Sequence, residues 1–137
     1  MNKHKGLSIL IVDNKHVSSV LRKDIIGLGH IVAVADKYAK AVQMVKKNCF
    51  DLIIMDAELP DGDCVSQICK IREIAGDVNI VTMISSNNRD IECILRKQRV
   101  IYYIIKPFDL TEITEIIEHI SRKKTITDKG QISTNHT

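Results

Sequence analysis

The sequence predicts an α/β fold in which one five-stranded parallel sheet carries helices on both faces. Five short apolar runs alternate with segments in which apolar residues recur at helical spacing. Parallel strands follow from this alternation, because a right-handed helical crossover returns the chain to the same end of the sheet. Five units suit the doubly wound strand order 2-1-3-4-5, in which strands 1 and 3 flank the ligand-binding point. A length of 137 residues and a hydrophobic fraction of 45% suit one domain with a single core.

The first third of the chain contains two strands and two helices. Leu7–Val12 is predicted to be a buried strand, and apolar residues then recur at helical spacing from Val17 until Gly29 supplies a C-terminal stop. The β-branched run Ile31–Ala35 predicts the second strand. A second helix follows, and its apolar face is formed by Tyr38, Ala41, Val42 and Val45.

The rest of the domain begins with the third strand, Leu52–Met55. Pro60 and Gly62 then mark a loop, because both residues interrupt regular structure. Asp109 and Glu112 form a predicted capping box that begins the last helix, which continues to residue 120. Between these points the predicted elements are a helix over about Cys64–Ile74, a strand over Val78–Ile84, a helix over about Arg89–Lys97 and a strand over Val100–Ile105.

The apolar period stops at residue 121, so the domain is predicted over residues 1–121. Residues 122–137 are interpreted as a disordered basic tail or the stub of a linker. Basic and acidic residues balance over residues 1–120, so the formal net charge of +3 comes from the tail. Because the domain is neutral and shows no cluster of basic residues, we expect that it does not itself bind nucleic acid.

Composition also argues against membrane insertion and secretion. No apolar run approaches the roughly 20 residues that a membrane span needs. The first six residues lack the apolar core of a signal peptide. We therefore expect a soluble, cytoplasmic protein without membrane contact. The four cysteines show neither disulfide nor zinc spacing, which predicts buried or half-buried thiols.

Four of the five predicted strands end on side chains that suit phosphoryl chemistry. Asp13 and Asp56 close the first and third strands, Ser85 closes the fourth, and Lys106, followed by Pro107, closes the fifth. Because the carboxyl ends of parallel strands meet at one edge of the sheet, we expect these side chains to surround one crevice. Carboxylates bind Mg²⁺, whereas a hydroxyl and a lysine can hold the oxygens of a phosphoryl group.

Five motifs, in order and at nearly the expected spacing, resemble the receiver domain of bacterial two-component response regulators over about residues 6–121. The motifs are Ile9–Asp13, Asp51–Asp56, Leu59–Gly62, Met83–Ser86 and Tyr103–Phe108. The resemblance implies a flavodoxin-like version of the predicted fold. It also implies a signalling module that catalyses only its own phosphorylation and dephosphorylation, rather than a metabolic enzyme.

The resemblance implies a phosphoacceptor and a metal site. Asp56 is the expected phosphoacceptor, and Lys106 is expected to pair first with its carboxylate and then with the phosphoryl group. Asp13, Asn14, Asp56 and the backbone carbonyl of Glu58 are the expected ligands of Mg²⁺, the implied cofactor.

The resemblance also implies a switch. Ser85 is the expected switch hydroxyl, with the adjacent Ser86 as the alternative, and its hydroxyl is expected to reach the phosphoryl oxygens. Tyr103 is the expected aromatic switch residue. The Lys106–Pro107 peptide bond is expected to be cis, which costs little before proline and would aim the lysine.

The implied partners are a sensor histidine kinase or a histidine phosphotransfer protein, either of which would donate the phosphoryl group. The signal is expected to leave through the fourth predicted helix, the fifth strand and the last helix, which together we call the signalling face. A homodimer through the same face is also implied.

Two features depart from the family pattern. Receivers commonly carry two adjacent acids after the first strand, but the second position here is Asn14, which removes one charge from the metal pocket. Many receivers end the fourth helix with a Gly-Ala pair, whereas this chain has Arg96–Val100. The first departure favours an alternative, a pseudoreceiver that mediates protein interactions without phosphorylation.

Two other protein classes are excluded by the residue at position 15. A phosphatase with a strand-end aspartate nucleophile would need an acid there, and a cobalamin domain of similar topology would need a histidine, but the residue is Lys15.

Overall fold

The structure, a computed structural model, describes residues 6–13, 17–85 and 102–134. Five parallel strands form one sheet in the order β2-β1-β3-β4-β5, as the sequence predicted. The strands are β1 (Ser8–Val12), β2 (Ile31–Ala35), β3 (Leu52–Asp56), β4 (Asn79–Ser85) and β5 (Tyr102–Lys106). The fold is therefore the flavodoxin-like doubly wound α/β architecture.

Four helices are described, and each lies where the sequence predicted a helix. They are α1 (Val17–Gly27), α2 (Tyr38–Lys47), α3 (Cys64–Ala75) and the C-terminal helix (Leu110–Thr134). The predicted helix over 89–97 lies outside the described residues, and so do Asn14, Ser86 and the Arg96–Val100 segment. None of the described helices combines the length and apolar character needed to cross a membrane.

Two apolar clusters cover the two faces of the sheet. Alternate residues of each strand point to opposite faces, so Leu10 belongs to one cluster and Ile11 to the other. The first cluster packs against α2 and α3 through buried residues that include Tyr38 and Ile68. The second cluster packs against α1 and the C-terminal helix through Leu21, Ile25, Ile113, Ile117 and Ile120. Helices therefore lie on both faces, and they bury the central strands β1, β3 and β4 on both sides.

Two helix starts show the capping that their sequences favour. The Asp63 side chain accepts hydrogen bonds from the backbone N–H and the hydroxyl of Ser66 and so caps α3. At the C-terminal helix, the Asp109 carboxylate accepts from the N–H of Thr111, and the Glu112 carboxylate accepts from the N–H of Asp109. This reciprocal pair confirms that Asp109 and Glu112 form a capping box.

The C-terminal helix is longer than predicted. Its backbone is helical to Thr134, whereas the predicted series of apolar residues ended at residue 120. The division into a domain over residues 1–121 and a tail or linker stub over residues 122–137 stays a prediction. Arg122, Lys123 and Lys124 have good helix propensity, and no proline follows them. Loss of apolar periodicity therefore did not mark the end of the helical backbone.

The cysteine prediction holds for one described residue. Cys64 is buried, and burial raises the pKa of its thiol to about 12. Cys49 and Cys69 are exposed, so the expectation of buried or half-buried thiols is wrong for both. Cys49 follows the last residue of α2 by two positions, and Cys69 lies on the outer face of α3, away from the core.

Candidate functional site

The strand-end residues lie at one edge of the sheet, as the register requires. Val12 of β1 pairs with Met55 of β3, so Asp13 and Asp56 follow at neighbouring strand ends. Ser85 of β4 pairs directly with Lys106 of β5. The β3–α3 loop (Ala57–Asp63) leaves this edge, and its first N–H donates to the carbonyl of Met83 at 2.9 Å.

Asp56 is fully buried, and its carboxylate accepts three hydrogen bonds. The Nζ of Lys106 lies 3.2 Å from Oδ1 and 3.2 Å from Oδ2, and the backbone N–H of Glu58 lies 2.9 Å from Oδ1. The Lys106 side chain is 23% exposed, so the ion pair lies at the mouth of a crevice rather than in a sealed core. A buried carboxylate needs such charge-assisted partners, because its ionised form loses hydration.

Asp13 provides the second buried carboxylate of the site, with 3% of the residue exposed. Its backbone N–H donates to the carbonyl of Ala35 at 3.0 Å, which holds the end of β1 against the end of β2. Asp13, Asp56 and the Glu58 backbone carbonyl offer only hard oxygen donors, a set that suits Mg²⁺ better than a soft metal. Among the described residues, no three His, Cys, Asp or Glu side chains are grouped to hold a metal.

The side chain of Glu58 contacts the predicted switch residue. Its Oε1 accepts from the backbone N–H of Ser85 at 3.1 Å, and its Oε2 accepts from the Ser85 hydroxyl at 3.0 Å. The bridge joins the β3–α3 loop to the end of β4 across 27 positions of sequence. In this conformation the Ser85 hydroxyl is engaged with a carboxylate other than Asp56.

Tyr38, the first residue of α2, lies fully buried against the same loop. Its hydroxyl donates to the backbone carbonyl of Asp56 at 2.6 Å and accepts from the backbone N–H of Leu59 at 3.2 Å. Burial raises the pKa of this hydroxyl, and the hydrogen bond from Leu59 opposes the shift only in part. The hydroxyl therefore stays protonated and remains a donor.

The two tyrosines of β5 lie on opposite faces of the sheet. Tyr103 packs against the first cluster, on the side of α2 and α3. Tyr102 packs against the second cluster and makes an edge-to-face contact with His119, with ring centroids 6.1 Å apart. The Lys106–Pro107 peptide bond is cis, which confirms that prediction.

Sequence reasoning missed two contributors to the site. It placed Tyr38 on the apolar face of α2 and did not foresee its contact with the strand-end loop. The hydroxyl of a buried tyrosine usually needs a hydrogen-bond partner, and this requirement could have predicted a contact between Tyr38 and a nearby loop. It also considered Glu58 mainly for its backbone carbonyl, whereas the side chain holds Ser85.

Comparisons with known proteins show the family of this chain. Residues 9–118 match the sequence profile of the response regulator receiver domain. The DNA-binding transcriptional regulator NtrC of Azospirillum brasilense is 30% identical over 120 residues, which cover 86% of this chain and 25% of that protein. The chemotaxis protein CheY of Bacillus subtilis is 27% identical over 111 residues, which cover 80% of this chain and 92% of that protein.

A solved structure with a related sequence has the same architecture. The receiver domain of the sensor histidine kinase PA1611 from Pseudomonas aeruginosa matches with a TM-score of 0.72 and 26% identity, over 83% of this chain and 96% of that one. That structure has a magnesium ion coordinated in its active site cleft. This chain spans about a quarter of the length of the first curated relatives that it matches. Because the family profile covers most of its residues, the chain belongs to the response regulator receiver domain family.

Proposed function

We propose that this chain is a phosphoacceptor receiver in which Asp56 accepts a phosphoryl group from a phosphohistidine, with Mg²⁺ as cofactor. The observation that carries the proposal is the contact of Lys106 with both carboxylate oxygens of buried Asp56. The carboxylate is available as the nucleophile, and the ammonium lies beside the oxygens that take up the incoming group. This activity is confined to the chain's own phosphorylation and dephosphorylation.

In the proposed reaction, one carboxylate oxygen of Asp56 attacks phosphorus while the bond from phosphorus to the donor's imidazole nitrogen breaks. The electron pair of the broken bond stays on that nitrogen, and the product is an acyl phosphate on Asp56. The ammonium of Lys106 can stabilise the negative charge first on the Asp56 carboxylate and then on the phosphoryl oxygens. The N–H of Glu58, 2.9 Å from Oδ1, holds the carboxylate in one orientation, so catalysis comes mostly from positioning.

The proposed cofactor is supported by the charges of the crevice. Asp13 and Asp56 are two buried carboxylates at neighbouring strand ends, and Lys106 brings a single positive charge to Asp56. Asp13, Asp56 and the Glu58 backbone carbonyl would hold the ion, together with Asn14, for which the family position gives the only support. When bound, Mg²⁺ neutralises charge on the transferred group. The magnesium in the PA1611 receiver supports this assignment.

The proposed switch joins Ser85 to Tyr103. A phosphoryl group adds about −1.5 to −2 charges and three acceptor oxygens, so it can draw the Ser85 hydroxyl toward Asp56. Tyr103, on β5 next to β4, would then move and change the signalling face. The proposed partner is a sensor histidine kinase or a histidine phosphotransfer protein. Cytoplasmic location and a homodimer through the signalling face stay predictions.

The alternative is a pseudoreceiver that binds partners without phosphate, and Asn14 is the feature that favours it. An amide oxygen attracts a hard divalent cation less than a carboxylate does, so the pocket would bind Mg²⁺ more weakly. Beryllofluoride with Mg²⁺ separates the two functions, because only a pocket competent for phosphorylation assembles this phosphoryl mimic. Saturable binding supports the phosphoacceptor, and no binding at millimolar Mg²⁺ supports the pseudoreceiver.

The direct test is labelling with acetyl phosphate and Mg²⁺, followed by intact-mass spectrometry. We expect one phosphoryl group on the wild type and none on Asp56→Asn. Asp77→Asn is the matched control, because Asp77 is exposed in the α3–β4 connection at the other end of the sheet. Equal labelling of the wild type and Asp56→Asn would overturn the assignment of Asp56.

A further inference from the structure

The hydroxyl of Tyr38 bridges two backbone groups on either side of Glu58. It donates to the carbonyl of Asp56 at 2.6 Å and accepts from the N–H of Leu59 at 3.2 Å. Both groups belong to the segment Asp56–Leu59, which leaves β3 and contains the Glu58 carbonyl, the expected ligand of Mg²⁺. The buried Tyr38 side chain therefore bridges the two ends of this segment.

The bond to Leu59 has a consequence for the Glu58 carbonyl. The N–H of Leu59 and the C=O of Glu58 belong to the same peptide unit, which is planar and trans. In a trans peptide these two groups point in opposite directions. Because Tyr38 holds the N–H toward α2, the carbonyl of Glu58 must point away from α2.

Two more contacts attach the β3–α3 loop to the start of α2. The carboxylate of Asp61 accepts from the N–H groups of Tyr38 and Ala39, at 3.1 Å and 3.2 Å. It replaces a local cap, because the N-cap residue Lys37 makes no side-chain hydrogen bond to the helix. At Gly62, an added Cβ would lie 3.4 Å from the Tyr38 ring, which shows how closely the loop backbone packs on the aromatic side chain.

We infer that the Tyr38 hydroxyl is a positioning group for the metal site, which it serves by fixing the direction of the Glu58 backbone carbonyl. The inference rests on the proposed function, because that function makes this carbonyl a ligand. Tyr38 touches neither the metal nor the phosphoryl group in this role. Its removal should therefore weaken Mg²⁺ binding and leave the metal-saturated reaction almost unchanged, since Asp56 and Lys106 keep their own contacts.

The test compares Tyr38→Phe with the wild type and with Tyr102→Phe. Tyr38→Phe keeps the buried ring and removes only the hydroxyl, while Tyr102→Phe removes a hydroxyl on the opposite face of the sheet. Mg²⁺ alone is titrated first, with the amide NMR shifts of residues 56–63 as the signal. The rate of Asp56 labelling by acetyl phosphate is then measured at limiting and at saturating Mg²⁺.

We expect the Mg²⁺ dissociation constant of Tyr38→Phe to rise roughly three- to tenfold, the size that one net hydrogen bond allows. The labelling rate at saturating Mg²⁺ should stay within about twofold of wild type, and Tyr102→Phe should match wild type throughout. A general loss of packing would instead change both the Mg²⁺ dissociation constant and the labelling rate at saturating Mg²⁺.

An unchanged dissociation constant in Tyr38→Phe would overturn the inference and leave the proposed function intact. A wild type that binds Mg²⁺ but is never labelled would overturn the proposed function, while the comparison of affinities would still decide the inference. If Tyr38→Phe does not fold, Asp61→Ala tests the same restraint, because the bonds from Asp61 to the N–H groups of Tyr38 and Ala39 hold the residue that carries the hydroxyl against the loop. Wild-type Mg²⁺ affinity in Asp61→Ala would then overturn the inference, and weaker affinity would support it.

Discussion

The carboxylate of Glu58 holds Ser85 by two hydrogen bonds, one to its backbone N–H at 3.1 Å and one to its hydroxyl at 3.0 Å. Under the proposed function, a phosphoryl group on Asp56 must recruit the same hydroxyl. The Glu58 carboxylate therefore competes with the phosphoryl oxygens for Ser85. Its negative charge also opposes the charge that phosphorylation brings to the crevice.

Removal of this competitor should favour the activated state. We predict that Glu58→Ala binds beryllofluoride in the presence of Mg²⁺ roughly tenfold more tightly than wild type, because two hydrogen bonds to a charged group no longer oppose it. The backbone carbonyl of residue 58 remains available in this variant. Titration monitored by amide NMR gives the affinity.

Two variants separate the contributions of Glu58. Glu58→Gln removes the charge but can still bond to Ser85, so it should fall between wild type and Glu58→Ala. Glu73→Ala, an exposed glutamate on α3, should match wild type. Equal affinities in wild type and Glu58→Ala would mean that the contact with Ser85 does not resist activation.

Loss of the Ser85 hydroxyl should separate phosphorylation from its output. We predict that Ser85→Ala is still labelled at Asp56, because Lys106 and the Glu58 N–H keep their contacts with the carboxylate. The variant should fail to pass the change on to Tyr103. The measurement is the set of amide NMR shifts over residues 88–118 with and without beryllofluoride.

Ser86→Ala is the matched control for this experiment, because it removes a hydroxyl from the next position. It should show the full wild-type shifts if Ser85 is the switch residue. Full shifts in Ser85→Ala, with reduced shifts in Ser86→Ala, would assign the switch to Ser86 instead.

His30 should make stability depend on pH. Its Nδ1 accepts a hydrogen bond from the N–H of Leu7 at 2.9 Å, so the fold requires the neutral ring, and burial lowers the pKa of His30 from its ordinary 6.5. As pH falls through 6.5, the unfolded chain binds a proton more readily than the native state. The free energy of unfolding should therefore fall until the native ring is also protonated.

Urea unfolding between pH 8 and pH 5 tests this dependence. His30→Asn keeps an acceptor without a titrating group and should show a shallower loss of stability. The matched control is His119→Asn, at an exposed site on the C-terminal helix, and it should retain the wild-type slope. Glu118 and Arg122 line the groove beside His30 and remain in all three proteins. Identical slopes in wild type and His30→Asn would contradict the prediction.

Thr82 offers a stabilising substitution. This residue is fully buried in β4, and its Oγ1 has no hydrogen-bond partner within the described part of the chain. Valine keeps the branched shape and removes the desolvated hydroxyl, so Thr82→Val should raise the free energy of unfolding by about 1 kcal/mol. Thr82→Ala should instead lower it, because it leaves a cavity. Urea unfolding of the three proteins gives the comparison, and a destabilised Thr82→Val would show that the hydroxyl is satisfied.

The strands were predictable because each is a short apolar run that ends in a polar or turn residue. Such runs, in alternation with helical segments, are typical of a parallel sheet that helices cover on both faces. The end of the C-terminal helix was not predictable in the same way. Ile120 is the last buried apolar residue of its periodic series, yet the backbone stays helical beyond it. Periodicity reports which residues face a core, and it does not report where the helical backbone ends.

The strand-end residues of the site were predictable for a different reason. Asp56 and Lys106 follow from strand order alone, since parallel strands bring their carboxyl ends together. The contacts of Tyr38 and Glu58 depend on side-chain direction across loops, with separations of 18 to 27 positions along the chain. No spacing rule specifies such contacts, so only the folded arrangement reveals them.

The separation of the core into two clusters also has an evolutionary consequence. The first cluster includes Tyr38, Leu59 and Cys64, so it directly supports the loop that follows Asp56. The second includes Leu21, Ile25 and Ile117, and no residue of that loop belongs to it. Substitutions beneath α1 can therefore accumulate under selection for stability alone. Those beneath α2 must also preserve the geometry of the loop, so the two sides of one small sheet are expected to diverge at different rates.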